Sequence, residues 1–123
     1  MKNQKNNPIS KYVEKKVGSL TNTELRLTCA LAEEELDMRR SSWVREMYQR
    51  FNQQSNTDMA YATIAYGGDW NADRIIVNRF KDKGRSKVAT GVARLSPGDN
   101  FDYNTGVAIA FARAMGEPVP DLF

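Results

Sequence analysis

Arg74, Arg79, Lys81, Lys83, Arg85, Lys87 and Arg94 fall close together, with Asp82 the one acid among them. Arginine offers a carboxylate or phosphate a rigid two-pronged fork, and lysine offers a mobile point charge. The concentration of positive charge therefore points to phosphate attraction. A plainer reading stands beside it: lysines on an exposed strand also keep that strand from pairing with other chains. Phe80 lies between Arg79 and Lys81. It can stack on a nucleic-acid base, a contact worth about 1–3 kcal/mol, or it can fill the core.

Catalytic chemistry finds little to work with. The chain has no histidine, which removes the usual base near neutral pH and the commonest metal ligand. A single cysteine, Cys29, rules out an internal disulfide and a cysteine-rich zinc site. Gly67-Gly68 is not followed by the Lys and Ser/Thr of a phosphate-cradling loop. Serine, threonine and cysteine lack a histidine to activate them. Glu33, Glu34, Glu35 and Asp37 crowd one helical stretch and cannot all face one ion. They read as a solvated face, or as a partner for the basic hairpin of another subunit. The expectation is a binder and not an enzyme, with no metal and no cofactor.

The whole composition agrees with a folded protein: 41% hydrophobic and 27% charged residues. No apolar run approaches the ~20 residues of a membrane span. MKNQKNN has no apolar segment behind it, and no signal peptide is expected there. Cytoplasmic location, with no membrane partner, is the expectation. A net charge of +3 suits an anionic ligand without demanding nucleic acid.

The elements that must position these residues are legible in order. Residues 1–7 are polar and basic and are expected to be flexible, with one α+β domain over residues 8–123. Pro8 opens a short helix with Ile9, Tyr12, Val13 and Val17 on one face, and Gly18 stops it. Thr23 to Gln54 holds no Gly or Pro. Leu25, Cys29, Ala32, Leu36, Trp43, Met47 and Phe51 recur at helical spacing. Thr21 with Glu24 is a capping-box pattern. At ~1.5 Å per residue this helix would run roughly 45 Å, longer than a small domain is wide. Part of its stripe is expected to meet another subunit, and Cys29 is expected in the core. Arg39 and Arg40 interrupt the stripe; they reach solvent, or they mark a cationic spot beside an interface or pocket.

From Met59 the character turns to β. Residues 59–66, 74–80 and 86–95 read as strands, separated by turns at 67–73 and 81–85. Short connections predict an antiparallel three-stranded meander. The third strand alternates: Ala89, Gly91 and Ala93 on one face, Val88, Thr90, Val92 and Arg94 on the other. The small face is expected to receive a helix. Ser96-Pro97-Gly98 breaks the strand, and a last helix begins near Asp102 and ends at Gly116. The tail Asp121-Leu122-Phe123 is apolar at its end and is expected to dock on a neighbouring subunit.

The segment VATGVARLSPGDNFDYNTGVAIAFARAMG, residues 88–116, resembles a pattern recurring in small phage proteins. Its parts are a small-residue strand, Pro97, Asp99, Phe101-Asp102, Gly106, a short apolar helix and Arg113. With the long preceding helix, the chain resembles the first-type Thoeris anti-defence family of phage signal sponges. The resemblance implies binding of cyclic ADP-ribose isomers made by bacterial TIR-domain proteins, without degradation. It also implies assembly as dimers or hexamers in the host cytoplasm. Some members bind cyclic trinucleotides at separate sites. Two readings from other classes stand beside this one: a small basic nucleic-acid-binding protein, and a protein-inhibiting interaction module.

A cyclic ADP-ribose isomer offers an adenine face and a pyrophosphate, which call for an aromatic plane and for guanidinium or N–H donors. Adjacent strand residues point to opposite faces, so Arg79 and Phe80 cannot line one pocket together without a bulge or a second subunit. Asn78 and Phe80 share a face, as do Thr90 and Arg94. Asn78, Phe80, Thr90 and Arg94 are therefore the expected ligand residues, with Arg113 as a further phosphate partner and Arg39 or Arg40 reaching in from the long helix.

Overall fold

In a computed structural model, residues 8–54, 58–68, 71–94 and 102–123 are described. The expected flexible start at residues 1–7, the breaks near 55–57 and 96–100, and Leu95 lie outside them. The order is α1 (Pro8–Gly18), α2 (Asn22–Asn52), β1 (Met59–Tyr66), β2 (Ala72–Lys81), β3 (Ser86–Arg94) and α3 (Tyr103–Ala114). This is the α+β arrangement expected, with β2 two residues longer at its start than the turn signals implied. The chain divides into two compact units, Met1–Met38 and Arg39–Phe123.

In the first unit, Thr21 caps α2 as its spacing predicted. The Thr21 N–H donates to Glu24 Oε1 at 2.9 Å, and the Glu24 N–H donates back to Thr21 Oγ1 at 3.2 Å. Those bonds hold the Glu24 carboxyl below the ordinary glutamate range, the backbone donor contributing most. No residue of α1 is buried, and Ile9, Tyr12, Val13 and Val17 are exposed. Leu27, Leu31 and Met38 of α2 are exposed as well.

Burial on α2 begins only near its end, at Met47 and Phe51. Cys29 is exposed and not in the core. Within the second unit, the last turns of the stripe pack on the core.

The second unit is built on a sheet of order β1-β2-β3, both pairs antiparallel. Odd-numbered residues of β2 face inward: Ile75 and Val77 are essentially fully buried. Their cross-strand partners Ala93 and Gly91 lie on the same face of β3. Against that face packs α3, which buries Val107, Ala108, Ala110, Phe111, Ala112 and Ala114. The expectation of a helix on the small-residue face of the third strand thus holds. Gly91 permits the approach, because a Cβ there would lie 1.9 Å from the Ala110 carbonyl oxygen. Met47 and Phe51 complete the core, with Phe51 meeting Phe111 edge-on at 5.8 Å.

Both ends of α3 are closed. Asp102 caps the start, accepting from the N–H groups of Asn104 and Thr105. At the other end, Gly116 adopts φ +72°. The Gly116 N–H donates to the Arg113 carbonyl and the Glu117 N–H to the Ala112 carbonyl, which satisfies the last turn. The tail docks within the unit: Phe123 packs on Trp43 at 5.5 Å between ring centroids, and Arg40 Nε donates to the Leu122 carbonyl.

Candidate functional site

The second face of the sheet carries Tyr61 and Thr63 from β1, Arg74, Ile76, Asn78 and Phe80 from β2, and Thr90, Val92 and Arg94 from β3. None of these is buried, whereas the opposite face holds the core. The register sets them side by side. Asn78 lies between Tyr61 on one strand and Thr90 on the other. The Thr90 hydroxyl donates to Asn78 Oδ1 at 2.7 Å. That bond leaves the Asn78 amide N–H₂ directed as a donor and the threonine oxygen as an acceptor. Tyr61 and Phe80 meet edge to face at 5.9 Å, and Tyr61 is 51% exposed.

Alternation brings four expected residues, Asn78, Phe80, Thr90 and Arg94, to one face. A bulge skips Val88, so that Lys87 becomes the cross-strand partner of Phe80. Lys87 thereby adds charge beside the aromatic pair. The loop that follows β2 passes through positive φ at Asp82, Lys83 and Gly84, and not at glycine alone.

Arg113, Arg39 and Arg40 are placed elsewhere. Arg113 belongs to α3, on the opposite side of the sheet, and its Nη1 donates to the Val92 carbonyl at 2.6 Å. It thus arrives at β3, an edge strand, from the helical side. Arg39 and Arg40 are on α2, and Arg40 is committed to Leu122. Arg79 faces the core side, where its Nη1 donates to the Ala114 carbonyl at 3.1 Å. There it complements the negative end of α3.

Sequence reasoning missed Tyr61, whose place on this face follows from the register of β1 on β2. It counted Arg74 in the basic cluster without placing it among the ligand residues, and strand pairing sets it opposite Arg94. It also missed a cavity of about 230 Å³ on the core side, lined by Arg50, Phe51, Gln54, Met59, Arg79 and Phe111 among others. The cations there are already engaged. Arg50 holds Glu117 in a two-pronged fork, both bonds 2.8 Å, and lies 5.9 Å from the Phe111 ring. The fork keeps the Glu117 carboxyl below, and the Arg50 guanidinium above, their ordinary values. This cavity reads as a structural joint, which leaves the open sheet face as the candidate site.

Among the described residues, no cluster of His, Cys, Asp and Glu could hold a metal ion. Among the same residues, no helix is long and apolar enough to cross a membrane. Compared with known protein families, characterised proteins and solved structures, the chain finds no match.

Proposed function

We propose that this chain is a phage anti-defence sponge: it binds a cyclic nucleotide immune signal of the cyclic ADP-ribose type in the host cytoplasm and holds it without degrading it. The observation that carries the reading is the grouping of Tyr61, Asn78, Phe80 and Thr90 on an open sheet face. Two aromatics supply a surface for a base, and a hydrogen-bonded Asn–Thr pair supplies a donor and an acceptor for its edge or for a ribose hydroxyl. The resemblance of residues 88–116 to the Thoeris anti-defence family supplies the kind of nucleotide. Homo-oligomerisation, as a dimer or hexamer, belongs to the same proposal. It is supported by the exposed apolar residues of α1 and of the first half of α2, since a helix as short as α1 is marginal in water without a packing surface.

The test is mass spectrometry of whatever heat releases from protein incubated with a cyclic ADP-ribose isomer, joined to calorimetric titration. The expected result is stoichiometric recovery of the intact ring. A linearised product above the no-protein control would make the protein an enzyme, and no heat of binding would end the reading.

A second reading, single-stranded nucleic-acid binding, draws on one observation. Cations flank the aromatic pair at both ends, Arg74 and Arg94 on one side and Lys81 to Lys87 on the other. Affinity that grows with oligonucleotide length, and falls steeply with salt, would favour it.

A further inference from the structure

Arg74 and Arg94 are direct cross-strand partners on the open face. Like charges directly opposite one another in an antiparallel pair are destabilising. Nothing in the core calls for them, since the inward residues beside them are Ile75 and Ala93. Among the described residues only Arg74 is neutralised: its Nε donates to Asp73 Oδ1 at 3.0 Å. That contact uses the inner nitrogen of the guanidinium and leaves both terminal NH₂ groups for another acceptor. The Arg94 side chain is exposed and makes no hydrogen bond or ion pair among the described residues. A third arginine, Arg113, reaches the backbone of the same strand two residues away, at Val92.

We infer that Arg74 and Arg94 together hold the phosphates of the ligand, as a paired anion site that prefers a diphosphate to a single phosphate. This names the phosphate end of the site proposed above and so rests on the nucleotide reading of the open face. Two guanidiniums facing each other offer separate forks, and a pyrophosphate presents separate charged groups to fill them. The bound anion removes the repulsion that the empty pair carries. Arg74 is four residues from Asn78 along β2, about 13 Å at strand rise, so the phosphate end and the base end are separate parts of one face. Ile76 and Val92, half-buried cross-strand partners, form an apolar floor between the two ends.

The experiment measures thermal unfolding of the full chain in inorganic pyrophosphate, in inorganic phosphate and in sodium chloride at matched ionic strength. The variants are Arg74→Gln, Arg94→Gln and, as a control from another element, Lys11→Gln. Pyrophosphate is expected to raise the melting temperature of the natural chain beyond chloride, and beyond phosphate. Either arginine variant should lose most of that response while Lys11→Gln keeps it. Without any added anion, Arg94→Gln should melt higher than the natural chain by roughly 1–4 °C, because the repulsion is gone. A pyrophosphate response that persists in both arginine variants, or that never exceeds chloride, overturns the inference. The two readings fail separately. Tight binding of a cyclic ADP-ribose isomer with no pyrophosphate response would keep the sponge and move its phosphates elsewhere. A pyrophosphate response lost in both variants, with no nucleotide binding, would keep the arginine pair and end the sponge.

Discussion

Gly91 of β3 lies so close to Ala110 of α3 that a Cβ on the glycine would sit 1.9 Å from the Ala110 carbonyl oxygen and 2.5 Å from the Ala114 nitrogen. The obstacles are backbone atoms and cannot rotate away. Gly91→Ala must therefore lift the helix from the strand, and is expected to cost about 1–3 kcal/mol or more, read as a lowered denaturant midpoint. Gly106→Ala is a useful comparison. Its Cβ would meet Cγ1 of the buried Ile75 at 2.7 Å, so a loss is expected there too, offset in part by the better helix propensity of alanine.

The Arg50–Glu117 fork ties the end of α2 to the residue after Gly116. Both side chains are more than a third exposed, 36% and 40%, so solvent screens the pair and Glu117→Gln should cost only about 0.5–1 kcal/mol. Its pH signature is more specific. The fork lowers the carboxyl pKa of Glu117 in the folded state. Its contribution is then complete above the ordinary glutamate range and is lost as pH falls through the depressed folded value, because the unfolded chain takes up its proton first. Melting curves should show the natural chain and Glu117→Gln converging as pH falls below 4, and separated by a constant difference near neutrality. A gap independent of pH would mean that the fork is not what the substitution removed.

Phe80→Ala and Tyr61→Ala each remove one ring of the edge-to-face pair on the open face. If that face receives a base, each should weaken nucleotide binding by roughly tenfold or more, since base–aromatic stacking is worth about 1–3 kcal/mol. Asn78→Ala should also reduce affinity while leaving the melting temperature close to that of the natural chain, because its amide is only half-buried. Calorimetric titration checks all three. Unchanged affinity in every one of them would place the ligand elsewhere.

The apolar face of α1 bears on assembly. Ile9 is 72% and Tyr12 64% exposed, and Val13 and Val17 share their side. In the oligomer proposed above, Tyr12→Glu with Val13→Glu should shift light scattering toward the monomer. The unit from Arg39 onward, with its own core, should keep its near-ultraviolet spectrum. A monomeric natural chain at micromolar concentration would refute the assembly outright.

Local chemistry alone determined the elements. The Thr21–Glu24 box, Gly18, Asp102 and Gly116 mark helix ends through bonds made within a few residues, and the strands are bounded by turn residues acting at the same range. Parity within a strand likewise put Asn78 with Phe80 and Thr90 with Arg94, since alternation follows from backbone geometry. The small face of β3 announced its helix because only small residues allow so close an approach. What tertiary structure decided was every relation between elements. Strand register put Tyr61 beside Asn78 and set Arg74 against Arg94, and register depends on turn geometry and on the bulge at Val88. Cys29 fell on a helical stripe but is exposed, while Met47 and Phe51 enter the core of the second unit; burial requires a second surface, and periodicity describes only the first. Arg113 and Arg40 were drawn to backbone carbonyls far along the chain, at Val92 and Leu122. A guanidinium goes to the acceptor that packing brings within reach, and no spacing in the sequence records that distance.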